Sequence, residues 1–213
     1  MTAAEIAEAD EAALRRAEPY AQVYLLRERS LSIGVTQGGN TDLRRKAAEL
    51  DLPLVSRSSG GTAVVLGPGD LAWTLVLPGS HPLAGRGSHR AYGRLGRPVV
   101  SALARHGRAA EWVDAPSLFP EVCLLSGRGQ VLALEGRIVG GAAQHRTGRA
   151  LLHHGMVHRG VDRELLARLY PALPASAADR LGGFGSNPPA PEPEALAETL
   201  RSELNHELVN PSP

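Results

Sequence analysis

LVSRSSGGTAVVLGPGDLAWTLVLP, running from Leu54 to Pro78, is the stretch that decides the fold. It begins as a short apolar strand and breaks at Arg57-Ser58-Ser59-Gly60-Gly61. It resumes as β-branched and apolar residues from Thr62 to Leu66. Gly67-Pro68-Gly69-Asp70 then supplies a turn, and a second strand runs to Leu77, so the stretch reads as strand, Gly-Gly loop, hairpin. Two adjacent glycines let backbone N–H groups approach a ligand closely. Arg57 beside them offers a planar cation suited to a carboxylate or a phosphate. The same residues also describe a plain chain reversal with a solvated arginine, and the stretch alone leaves both readings open.

Composition bounds the rest. A length of 213 residues suits one domain with appendages, and an apolar fraction of 43% is enough for a sizeable core. A net charge of +1 implies no polyanion-binding surface, and an aromatic content of 4% argues against base-stacking nucleic-acid modules. Cys123 is the single cysteine, which excludes an internal disulfide and a cysteine zinc site. That usage fits a reducing, cytoplasmic setting. No signal-peptide pattern and no run long enough to span a bilayer is present. Lys46 is the only lysine, so any chemistry that needs one has a single candidate.

Along the chain, Thr2 to Arg16 reads as a helix with Thr2 as its cap. Leu25 to Val35 reads as a strand or hairpin turning at Arg27-Glu28-Arg29. Thr41 or Asp42 caps a helix that Pro53 stops. Gly79 to Gly96 has the composition of a mobile surface segment. Pro98 to Arg108 reads as a helix ended by Gly107, and Glu111 to Val113 as a short strand. Ser117, in the proline-containing stretch before Cys123, is a capping-type residue. Gln130–Leu134, Arg137–Gln144 and Ala150–Val157 read as three successive strands, and Asp162 caps a helix to Tyr170. Pro171 to Pro193 is a Pro/Gly-rich wrap, a last helix spans about Glu194 to Leu208, and Asn210 to Pro213 is a tail. The expected class is α+β with a mixed, largely antiparallel sheet flanked by helices. Residues 1–170 (core about 21–170) are expected to form the domain, with residues 171–213 belonging to it.

Three blocks give the chain a resemblance. Arg57-Ser58-Ser59-Gly60-Gly61-Thr62-Ala63-Val64 is similar to R-x-[ST]-G-G-x-A-V. Glu135 to Arg146, EGRIVGGAAQHR, is similar to G-x-K-[IV]-x-G-x-A-Q-x-R. Ala150 to Gly155, ALLHHG, resembles a strand ending in H-G, and Ile33-Gly34-Val35-Thr36-Gln37 resembles the upstream G-x-x-Q strand end. Together they resemble the catalytic domain of the biotin/lipoate-protein ligases, in the branch of lipoate-protein ligases and octanoyltransferases. That resemblance implies transfer of an octanoyl or lipoyl group to a lysine of a lipoyl-carrier domain. The donor would be acyl carrier protein or another acyl donor, with no permanently bound cofactor, no metal, no nucleic acid and no membrane. It implies a ligand site at Arg57, Ser59, Gly60, Gly61, Thr62, Gly140, Gly141, Ala142 and His154. The small residues of the second block let an aliphatic chain lie along the strand.

Two departures matter. The lysine expected in the second block falls on Ile138, or on Arg137 if the alignment slips by one, and Lys46 lies too early to replace it. Leu66-Gly67 stands where many ligases carry His-Asp. Cys123 lies at the spacing of the nucleophile in cysteine-dependent octanoyltransferases of this branch, where a thioester would divide one hard transfer into two easier steps. Its plain alternative is an inert buried thiol. The leading expectation is therefore acyl transfer through a Cys123 thioester. The alternatives are an ATP- and Mg-dependent lipoate-protein ligase that forms an acyl adenylate, and an acyl-binding relative that has lost turnover with its lysine. His153 and His154 point to opposite faces of a strand, so at most one of them faces the site.

Overall fold

The structure is a computed structural model that describes residues 1–84, 88–127, 129–186 and 189–209; residues 85–87, 128, 187–188 and 210–213, and with them the expected tail, lie outside the described residues. In chain order the elements are α1 (Ala3–Arg16), β1 (Tyr20–Leu25), β2 (Ser30–Gly34), α2 (Thr41–Glu49), β3 (Leu54–Arg57), β4 (Val64–Leu66) and β5 (Leu71–Pro78). They continue as α3 (Ser88–Leu95), α4 (Arg97–Arg105), β6 (Ala110–Asp114), β7 (Gln130–Leu134), β8 (Arg137–Arg146) and β9 (Ala150–Val157). Three helices close the chain: α5 (Arg163–Leu169), α6 (Ala175–Ala178) and α7 (Pro193–Val209). A 3-10 turn at Val35–Gln37 follows β2, and a second at Cys123–Leu125 precedes β7.

The nine strands form two sheets. Six run in the order β1-β5-β9-β8-β7-β6, every neighbour antiparallel. Three run in the order β3-β2-β4, with β2 parallel to β3 and antiparallel to β4. The α+β class is as expected, but two expected hairpins are not formed. β1 and β2 belong to different sheets, and so do β4 and β5. The turn at Gly67–Asp70 carries the chain from the small sheet to the large one. Apolar alternation specifies a strand without specifying its partner, and here the partner is distant in sequence.

Local signals account for most helix ends. Thr2 caps α1 in a capping box with Glu5, and Asp162 caps α5 by accepting from the Leu165 amide. The cap of α2 is Asn40, rather than Thr41 or Asp42, through its side chain to the Leu43 amide. Ser117 caps no helix; it forms an isolated antiparallel bridge with Ser126. The segment expected to be a mobile surface stretch contains α3, held because Leu83 and Leu95 are buried with Leu75, Leu77 and Leu151.

The sheets are layered. On one face of the large sheet, α4 and α7 bury Val99, Leu103, Leu196 and Leu200 against Val23, Trp73 and Leu132. On the other face lie α1 and the small sheet, joined through Ile6, Tyr24, Leu66 and Met156. α2, α5 and the turn after Val122 close the far side of the small sheet around Leu31, Ile33, Leu125 and Leu169. β5 is buried along both faces, which explains its continuous apolar run.

Candidate active site

A cavity of about 110 Å³ opens between the two sheets. The small sheet contributes Val55, Arg57 and Val64, the large sheet Gly141, Ala142 and His154, and the 3-10 turn Cys123 and Leu124. α1 supplies a further wall with Ala3, Ile6, Ala7 and Asp10, the i, i+3, i+4, i+7 face of one helix. Nothing in the sequence reading assigned α1 to the site.

Cys123 is placed by backbone contacts. Its amide donates to the Ala63 carbonyl at 3.0 Å, and Val122 pairs with Ala63 as an isolated parallel bridge. The turn is thereby tied to the strand that follows the Gly-Gly loop. Arg57 Nη2 lies 4.0 Å from the Cys123 sulfur. The same guanidinium donates to the carbonyls of Gly60 at 2.9 Å, Thr62 at 2.8 Å and Ser32 at 3.0 Å. Burial pulls the Arg57 pKa below its ordinary value, with the opposing pull of Cys123 smaller. An arginine remains a cation even so. Arg57 therefore folds the loop around itself and presents positive charge at the sulfur.

Gly61 has φ +95, and a Cβ there would lie 2.9 Å from Arg57 Nη2 and 3.1 Å from the Cys123 sulfur. Both the conformation and the space call for glycine. Across the turn, a Cβ on Gly141 would come within 2.7 Å of Leu124 Cδ2. The two glycine segments, far apart in the chain, thus flank the same three residues.

Of the expected site residues, Cys123, Arg57, Gly141, Ala142 and His154 border the cavity. Gly60 and Thr62 act through the carbonyls that hold Arg57. Gly140 packs on the Met156 backbone. Ser59 is 1% exposed and hydrogen-bonds His154 Nε2 at 2.7 Å. His154 Nδ1 in turn donates to Asp10 Oδ2 at 2.5 Å, and Asp10 Oδ1 accepts from the Thr74 hydroxyl. Both ring nitrogens of His154 are thus engaged, Nδ1 by the carboxylate and Nε2 by the hydroxyl. This buried chain fixes the Gly-Gly loop against β9 and α1. His153, on the opposite face, is fully buried beside Tyr92, and burial followed by the neighbouring His154 lowers its pKa to about 3.

Neither Ile138 nor Arg137, the two positions to which the missing lysine could align, borders the cavity. A bulge between Leu132 and Ala133 shifts the register so that Ile138 faces inward, 3% exposed, in the core cluster with Leu124, Val131 and Leu181. Arg137 is exposed. Lys46 donates to the Leu169 carbonyl at 3.3 Å and pairs with Asp42, and it borders no part of the cavity.

A second cavity, about 370 Å³, shares Val64, Leu66 and Leu124 with the first. At its wall His158 Nδ1 donates to Asp70 Oδ2 at 2.8 Å. No cluster of three or more potential metal ligands is present among the described residues, and no helix among them is long and apolar enough to cross a membrane.

Comparison with known proteins fits this geometry. A family model described as the lipoyl protein ligase A/B catalytic domain matches residues 5–184. An octanoyltransferase LipM of Exiguobacterium sp. is 30% identical over 161 residues, covering 70% of this chain and 57% of that protein. An octanoyl-[GcvH]:protein N-octanoyltransferase of Kyrpidia tusciae is 31% identical over 150 residues, covering 65% of this chain and 47% of its own length. The chain thus spans about half the length of these relatives. Among solved structures, a lipoate-protein ligase A bound with ATP superposes with a TM-score of 0.72 at 20% identity, covering 94% of this chain and 78% of that one. A bipartite lipoate protein ligase of Thermoplasma acidophilum gives a TM-score of 0.71 at 20% identity, covering 94% of this chain and 76% of that one.

Proposed function

The chain belongs to the lipoyl protein ligase A/B catalytic-domain family, and from that premise we propose that it transfers an octanoyl or lipoyl group to a lysine of a lipoyl-carrier domain through a thioester on Cys123. The observation that carries the reading is the placement of the one thiol of the chain. It sits on the wall of an apolar slot between two sheets, 4.0 Å from a buried guanidinium. An acyl tail lies in the slot against Gly141 and Ala142, and its thioester carbonyl lies at Cys123. The sulfur attacks that carbonyl, a C–S bond forms, and the donor's leaving group departs with the thiol proton. Arg57 offers its charge to the oxygen that becomes negative in this step, the kind of fixed electrostatic contribution that often dominates acyl-transfer catalysis. The acceptor amine then displaces the sulfur, forming the amide and returning the thiol. The relatives named as octanoyltransferases support this reading over adenylation.

Incubation with an octanoyl-loaded carrier protein should leave a hydroxylamine-sensitive acyl adduct on Cys123, seen by mass spectrometry. Cys123→Ser should lower transfer to a lipoyl domain by at least about 10³-fold, as loss of a covalent nucleophile does. Full activity in Cys123→Ser removes the thioester route, and ATP consumption with free octanoate in its place identifies a ligase.

A further inference from the structure

Two buried carboxylate–histidine pairs face the two cavities, and they differ at one atom. His154 has both ring nitrogens engaged, Nδ1 with Asp10 and Nε2 with Ser59. His158 has Nδ1 engaged with Asp70, while its Nε2 has no hydrogen-bond partner among the described residues. His158 is 7% exposed, and what it is exposed to is the larger cavity. Asp70 is rigidly held: it also accepts from the Gly67 amide at 2.9 Å and the Arg159 amide at 2.7 Å. Its contact with His158 Nδ1 holds the ring in place and leaves Nε2 as the nitrogen that a ligand in the cavity can engage.

That space is shaped for an aliphatic arm. Ala63, Val65, Leu166 and Leu181 make part of its wall apolar, Val122 and Leu124 line it on either side of Cys123 in sequence, and Arg159 and the Arg29–Asp162 ion pair border it as well. The His158 amide donates to the Val139 carbonyl at 2.7 Å, and Leu181, on the cavity wall, bridges Ile138. The backbone of His158 therefore lies against β8 at Val139, next to Ile138.

We propose that the larger cavity receives the side chain of the acceptor lysine and that His158, oriented by Asp70, is the base that removes its proton. The inference rests on the Cys123 thioester reading above. An ordinary lysine amine is almost wholly protonated at pH 7 and cannot attack in that form. His158 Nε2 takes one of the three ammonium protons and passes it to solvent. The amine attacks the thioester carbonyl, a C–N bond forms and the C–S bond breaks. The second proton goes to the departing sulfur, which returns to a thiol, and the third stays on the amide nitrogen.

The test separates the two half-reactions. Cys123 is first loaded with octanoyl from a small-molecule octanoyl thioester, and single-turnover discharge to Nα-acetyl-lysine amide and to a lipoyl domain is then followed against pH. His158→Gln should still acquire the acyl group but discharge it to lysine about 10²-fold more slowly, the usual contribution of a positioned base. In the unaltered protein the discharge rate should level off once the imidazole is neutral. In His158→Gln it should keep climbing about tenfold per pH unit toward the lysine's own titration. Val161→Trp, at a partly exposed position of the cavity wall, is an independent probe: it should slow discharge to lysine amide while sparing discharge to the much smaller hydroxylamine. Equal rates and pH profiles for His158→Gln and the unaltered protein overturn the role of His158. Unimpeded lysine discharge in Val161→Trp overturns the assignment of the cavity, as does ATP binding that the same substitution abolishes. Failure of the unaltered protein to form any Cys123 adduct overturns the thioester reading itself and is distinguishable from both.

Discussion

At the scale of single residues, the His153-His154 pair shows how one strand gives adjacent identical side chains opposite fates. His154 is hydrogen-bonded at both nitrogens, whereas among the described residues His153 Nε2 is buried without a partner and Gln144 reaches its Nδ1 at 3.2 Å. The His153 pKa falls from 6.5 to about 3 because burial penalises the cation. The unfolded chain therefore binds a proton that the folded chain excludes between those two values. Where the unfolded state binds more protons, stability rises with pH, so it is lost as pH falls below about 6.5 and continues to fall toward about 3. The slope from this one group approaches about 1.4 kcal/mol per pH unit. His153→Phe keeps a ring against Tyr92 and removes the titration. Urea midpoints at pH 7 and pH 5 should differ markedly in the unaltered protein and much less in the variant. Equal losses of stability in both would mean that His153 is not the acid-sensitive group.

At the scale of elements, the site is made by packing α1 across a slot that two sheets leave open. The R-x-S-G-G and G-x-A-Q blocks were legible because each is local: the glycines that the backbone needs are consecutive in sequence. The partners that give those blocks their chemistry were not legible. Asp10 meets His154 across 144 positions and Asp70 meets His158 across 88, and no local pattern marks either carboxylate as a partner. The two unformed hairpins have the same origin, since strand partners are chosen by the whole fold; β1 at Tyr20–Leu25, just before the strand expected from Leu25, was itself not marked by the local pattern. A consequence for α1 follows. Ala7 lies on its cavity-facing side and is only half-buried, so a longer side chain there extends into the slot without displacing core atoms. Ala7→Leu should shift acyl preference toward shorter chains. A buried methylene is worth about 0.8 kcal/mol, so the two that separate octanoyl from hexanoyl are worth about 1.6 kcal/mol, and the ratio of kcat/KM for octanoyl over hexanoyl donors should fall on the order of 10-fold. An unchanged ratio would place the acyl tail somewhere other than beneath α1.

At the scale of the whole molecule, the candidate site and the C-terminal helix lie on opposite faces of the large sheet. The cavities, Cys123 and both carboxylate–histidine pairs lie on the α1 and small-sheet side. α7 lies on the other, with Leu196, Leu200 and Leu204 each no more than 1% exposed against α4 and β1. Fully burying three leucines is worth about 5–9 kcal/mol, which is comparable with the whole stability of an ordinary domain at about 5–15 kcal/mol. We therefore propose that residues 171–213 complete the catalytic domain. A chain cut after Pro191 should lose its cooperative thermal transition by circular dichroism; retention of that transition would make α7 an appendage. Leu200→Ala tests the separation of the two faces more gently. It removes buried methyl groups from the second core cluster and should lower Tm by about 5–15 °C, the result of about 2–5 kcal/mol in a chain of this size. Because no atom of Leu200 borders either cavity, KM for the acyl donor and the rate of Cys123 acylation should stay unchanged well below the transition. A loss of acylation at temperatures where Leu200→Ala is fully folded would show that the sheet transmits packing on its helical face to the thiol on the other, and the division of labour between the faces would fail.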